Sequence, residues 1–104
     1  KNYAYVLTDE PTQEVRVVRL SDFLIVATWD IPGALSNDPY DVLLDEAANR
    51  LYVGRGLGGD ENEFYILNTS NPLGPISIVG STTIGAQVHA VAIRHNSAYI
   101  ASGC

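Results

Sequence analysis

His89 heads an alternating apolar run, Val88-His89-Ala90-Val91-Ala92-Ile93, and is one of two histidines in the chain. An imidazole is the side chain best suited to moving a proton or holding a ligand near neutral pH. Tyr40 occupies the corresponding place earlier in the chain, and His89 and Tyr40 are the candidate ligand-binding pair. No second His, Cys or carboxylate pair accompanies His89 at ligand spacing. A hydrogen-bonded histidine at a strand end therefore outweighs a base or ligand role. His95 reads as an exposed turn residue.

The densest acidic run is Gly58-Gly59-Asp60-Glu61-Asn62-Glu63. Asp60, Glu61, Asn62 and Glu63 put carboxylate and amide oxygens on a glycine-flexed loop, the hard donors that calcium takes. Their spacing does not match an EF-hand, so a solvated acidic hairpin loop is favoured over a calcium site. Ser36-Asn37-Asp38-Pro39 is a weaker case of the same kind. Gly54-Arg55-Gly56-Leu57-Gly58-Gly59 has the glycines of a phosphate loop. It joins two strand-like runs, however, with no helix N-terminus to hold a phosphate, and is rejected. No nucleophile elbow, CxxC or HExxH is present, and no catalytic residue is assigned. Trp29, the single tryptophan, is expected to pack, ahead of serving as a sugar-stacking platform.

The elements that must position these residues are short. The 104 residues suit one small domain, 46% hydrophobic and 17% charged, as in ordinary globular chains. Twelve Asp and Glu against six Lys and Arg leave a net charge of −6, which disfavours nucleic acid and anionic membranes. No apolar run reaches the about 18 residues of a membrane-spanning helix. The absence of Met and of a signal-peptide pattern suggests a mature, trimmed or partial chain. The one cysteine, Cys104, offers no internal disulfide; it is a free thiol or half of a bridge to another chain.

Helix signals are nearly absent, and Asp45-Glu46-Ala47-Ala48-Asn49 reads as a turn. β-Branched and aromatic runs bounded by Gly, Pro, Asn, Asp and Ser predict strands near 3–8, 14–20, 24–30, 40–45, 50–55, 63–68, 76–80, 88–94 and 97–102. The fold class is all-β. Asn2, Asn49 and Asn96 lie 47 residues apart, as do Tyr5, Tyr52 and Tyr99, and Val6, Val53 and Ile100. Glu14-Val15-Arg16-Val17-Val18 echoes Glu63-Phe64-Tyr65-Ile66-Leu67 at 49, and Asp41-Val42-Leu43-Leu44 echoes Ala90-Val91-Ala92-Ile93 at the same spacing. Length differences therefore sit in loops and cancel.

A period of 47 with four strands predicts a β-propeller segment of about two four-stranded blades. Its divisions are the end of one blade over 1–30, a complete blade over 40–82 and the start of the next over 88–104. Asn before each Tyr is expected to take the left-handed turn conformation. The tyrosines are expected to fill space between blades, with Val42, Leu44, Val91 and Ile93 in the core. Propellers close with about four to eight blades, so the segment needs either the remaining blades of a longer chain or neighbouring subunits. A nine-stranded β-sandwich is the competing fold.

Two stretches then resemble the repeats of LVIVD-type propellers. Val88-His89-Ala90-Val91-Ala92-Ile93 with Asn96-Ser97-Ala98-Tyr99-Ile100-Ala101-Ser102-Gly103 is similar to one part of that repeat. Phe64-Tyr65-Ile66-Leu67-Asn68-Thr69-Ser70-Asn71-Pro72, continued by Leu73-Gly74-Pro75-Ile76-Ser77-Ile78-Val79-Gly80, is similar to the part that follows. The resemblance implies a bacterial or archaeal secreted or surface repeat protein, and carries no catalytic residues. The expected function is non-enzymatic binding or adhesion at the cell surface, toward a protein or carbohydrate ligand. The alternatives are part of a propeller enzyme with His89 at an axial site, and a structural subunit of an extracellular assembly. No resident cofactor is expected, calcium at residues 60–63 aside.

Overall fold

The computed structural model describes residues 2–8, 10, 13–32, 39–56 and 62–103, with the main chain alone at 39 and 40. Nine strands and no helix occur among them. They are β1 (Tyr3–Leu7), β2 (Val15–Arg19), β3 (Leu24–Trp29), β4 (Pro39–Asp45), β5 (Arg50–Arg55), β6 (Phe64–Asn68), β7 (Ile78–Thr82), β8 (Gln87–Arg94) and β9 (Ser97–Gly103). Each predicted strand has its counterpart; the run expected near 76–80 begins two residues later, because Asn68 N–H bonds the Ser77 carbonyl before the regular ladder starts. Residues 46–49 form the expected turn.

Among the described residues all strand pairing is antiparallel and between chain neighbours. Sheet I has the order β1-β2-β3, sheet II β4-β5-β6-β7 and sheet III β8-β9. The repeat shows in the irregularities as well as in the strands. Register slips at Tyr40 on β4 and at His89 on β8, both in the first strand of their sheet. It slips again at Val26 on β3 and at Val79 on β7, both on outer strands. A bulge adds a residue and bends its strand, so matched bulges give successive sheets the same curvature.

The hairpins show where the spacing of 49 returns to 47. Four residues join β4 to β5, whereas two join β8 to β9. Asn49 takes the left-handed conformation as expected, with φ of 55°. In the shorter hairpin that role passes to His95, with φ of 57°, and not to Asn96. Two residues fewer in the loop move the left-handed site one position back.

Sheet II is apolar on both faces because both are covered. Leu51, Val53, Tyr65 and Leu67 join Val15, Val17, Trp29 and Ile31 of sheet I and its following segment in one core. Phe64, with Tyr52 and Ile66 beside it, joins Val88 and Val91 in a second core against sheet III. Val42 and Leu44 pack on the first core and Ile93 on the second, as their alternation predicts. At Gly54 the sheets approach so closely that an added Cβ would lie 2.9 Å from the Val88 Cβ.

Candidate functional site

Glu14, Ile31, Arg55, Asn62, Glu63, Ile84 and Gly85, at the strand ends of sheets I and II and in the segments beside them, come together by hydrogen bonds, and the described candidates Asn62 and Glu63 lie among them. His89 is exposed and sits at the β8 bulge. Tyr40 holds the matching bulge of β4 by its main chain; its side chain lies outside the described residues, as do Asp60 and Glu61. Asp41, next to Tyr40, turns its Oδ2 toward sheet III and accepts the Val91 N–H at 2.9 Å.

Asn62 and Glu63 are engaged within the fold. The Asn62 amide donates to Ser81 Oγ at 2.7 Å, and its Oδ1 accepts from Thr83 Oγ1 at 2.6 Å. Glu63 is 1% exposed, so the expected solvated loop does not extend to it. Its Oε1 accepts the backbone N–H of Ile84 at 2.8 Å and of Gly85 at 3.0 Å. Gly85 has φ of 84°, which lets two successive N–H groups converge on one oxygen. Among the described residues no group of three or more His, Cys, Asp or Glu is arranged to hold a metal.

Glu14 does the same in sheet I. It is buried, and its Oε1 accepts the Ile31 N–H at 2.8 Å. Its other oxygen faces Arg55, fully buried on β5, whose Nη1 lies 3.4 Å away. Arg55 Nη2 donates to the Asn62 carbonyl at 2.8 Å, and the guanidinium lies 4.6 Å from the centre of the Tyr65 ring. Its Nε finds no acceptor among the described residues. Burial pushes the Glu14 carboxyl up to about 6, while the Ile31 N–H and Arg55 pull it back in part. The rejected phosphate loop thus contributes its arginine to a buried ion pair between sheets I and II.

Both glutamates were readable as an echo at 49 residues, yet nothing local marked them as buried. Arg55 had no such signal, since Thr8 and Ser102 stand at its counterpart positions. Trp29 packs, as expected: it is 1% exposed, its ring centre is 5.7 Å from that of Tyr5, and its Nε1 donates to the Gly74 carbonyl at 3.1 Å.

At the opposite end two clefts open between successive sheets, of about 220 and 320 Å³. Asn2, Tyr5 and Asn49 line the first, and Tyr52 and Asn96 the second, so the clefts share repeat positions. No family model, curated protein or solved structure matches this chain.

Proposed function

We propose that the chain is a segment of a β-propeller of LVIVD-like repeats and serves non-enzymatic binding or adhesion at a cell surface. The observation that carries the propeller reading is the series of tyrosines. Tyr5 on sheet I packs into the core shared with sheet II, and Tyr52 on sheet II into the core shared with sheet III. Tyr99, the third member, is 60% exposed on the far side of sheet III. Sheets I and II each direct the same residue at the next sheet, as would be expected of blades around an axis. A closed sandwich would bury its aromatics inward between two sheets and leave no such progression.

The binding reading rests on what the described residues leave on the surface: the exposed bulge residue His89 with Thr83 and Gly85 at one end, and the matched clefts at the other. Loops on a rigid β scaffold are the usual carriers of recognition. Titration of the chain against immobilised polysaccharides and surface proteins tests it. Binding that is lost when residues 57–61 are shortened, and retained in His89→Ala, supports recognition by the loop end. A turnover abolished by His89→Ala would favour the enzyme alternative, for which the exposed bulge position of His89 is the supporting feature.

A further inference from the structure

The two clefts between successive sheets share a frame and differ in charge. Tyr3, Tyr5 and Leu44 line the cleft between sheets I and II, and their counterparts Arg50, Tyr52 and Ile93 line the cleft between sheets II and III. The turns follow suit, with Glu46 and Asn49 in the first cleft and His95 and Asn96 in the second. Thr69, Ser70 and Pro72 wall the first cleft and have no counterparts within the chain at the second. Asp45 walls the second and has none at the first. Each cleft is thus open in the presence of the wall that the other lacks, and the space belongs to the shared frame.

The second cleft is lined by charges of both signs. Asp45 and Arg50 stand opposite each other in the β4-β5 register, yet no ion pair among the described residues joins them. Each is held by the turn between them instead. Arg50 Nη1 donates to the Ala48 carbonyl at 3.3 Å and to the Asn49 carbonyl at 3.1 Å. These bonds engage one of its three side-chain nitrogens and, among the described residues, leave the donors of Nε and Nη2 unused. Asp45 Oδ1 accepts the Ala48 N–H at 3.2 Å, which leaves Oδ2 as an acceptor. Tyr52, Ile66, Ile93 and Ala98 supply the apolar part of the wall. A guanidinium with two parallel donors fits a carboxylate, and a carboxylate fits an ammonium. At about 320 Å³ the cleft falls at the small end of those that take organic ligands.

We propose that the cleft between sheets II and III binds a free α-amino acid with an apolar side chain. Arg50 takes the α-carboxylate, Asp45 takes the ammonium, and the ligand side chain lies against Tyr52, Ile66 and Ile93. A zwitterion matches a site with one charge of each sign, whereas the extra charge of a phosphate would be repelled by Asp45. The cleft between sheets I and II, with Tyr3 in the place of Arg50, has no partner for the carboxylate. This inference rests on the reading of the clefts as binding sites and names the chemistry of one of them.

The test titrates the 104-residue chain with leucine, leucine methyl ester and N-acetylleucine, followed by backbone amide shifts in NMR spectra. Leucine is expected to shift Arg50, Tyr52, Ile93 and Asn96. The ester lacks the carboxylate and the acetyl form lacks the ammonium, and each should bind about tenfold or more weakly. Arg50→Gln, and Asp45→Asn, which retains an oxygen for the Ala48 N–H, should weaken leucine binding by a similar factor with the remaining amide signals in place. Equal binding of the three compounds shows apolar contact alone and overturns the proposal. Shifts confined to Tyr3, Tyr5 and Asn49 place the ligand in the other cleft and also overturn it. A chain in which a copy of residues 57–82 follows Gly103 supplies the wall beside β9, and loss of leucine binding in that chain overturns it as well. No shift with leucine overturns the amino-acid assignment and leaves the binding reading to its own titration against polysaccharides and surface proteins.

Discussion

The buried glutamates are the residues on which the loop end depends. Glu63, itself buried, accepts the backbone N–H groups of Ile84 and Gly85 and ties the segment before β8 to the start of β6. Glu63→Ala is expected to lower stability by about 2–4 kcal/mol in urea unfolding, against under about 0.5 kcal/mol for a solvated loop acid. Glu14 adds a pH dependence whose sign follows from its direction of shift. With its carboxyl raised from 4.5 to about 6, the folded chain binds this proton more tightly than the unfolded chain. The contribution is present in full below about pH 4.5 and is lost as pH rises through 6. Relative to Glu14→Gln, the natural chain should gain up to about 2 kcal/mol between pH 7 and pH 4. Parallel stability curves for the two chains would contradict the assignment. Arg55 does not reverse the sign, because losing solvent costs the carboxylate more than one partner at 3.4 Å returns.

The strands were legible from the sequence because each is a short β-branched or aromatic run ended by turn residues, and both signals are local. Their grouping was legible through the tyrosine and asparagine echoes. Glu14 was not legible as a buried group, because its partner amide lies 17 residues away, at Ile31 beyond β3. The Asn96 turn was misjudged for a related reason. Left-handed conformation follows loop length, and a loss of two residues leaves the echo of Asn49 in place while moving its geometry to His95. At the level of the element, Gly54 sets how closely β5 lies against β8. Gly54→Ala should cost about 1–3 kcal/mol through its clash with Val88. Val88→Ala in the same chain should recover part of that cost, a non-additivity that marks direct contact. Tyr52→Ser and Tyr99→Ser form a matched pair. The first removes a ring stacked 6.3 Å from Phe64 and should destabilise by about 2 kcal/mol or more, while the second should change stability by less than about 0.5 kcal/mol.

The described residues form three sheets in series, sheets II and III each covering the tyrosine-bearing face of the one before. In such an array stability is close to a sum of unit and neighbour terms, so adding a unit at one end strengthens the rest. Sheet I opens at one side, where Val6 and Ile25 are exposed, and sheet III at the other, where Tyr99 is. The most direct measurement exploits the repeat itself. Gly103 is the counterpart of Gly56, so a second copy of residues 57–103 placed after Gly103 would complete sheet III and begin another. Thermal unfolding of the natural and extended chains would be followed by the fluorescence of Trp29, the single tryptophan, which lies between sheets I and II. If the sheets are successive blades, the Trp29 transition moves to higher temperature and stays single, because the new sheet covers Tyr99 and couples through sheet II. A Trp29 transition unchanged by the added repeat would contradict it.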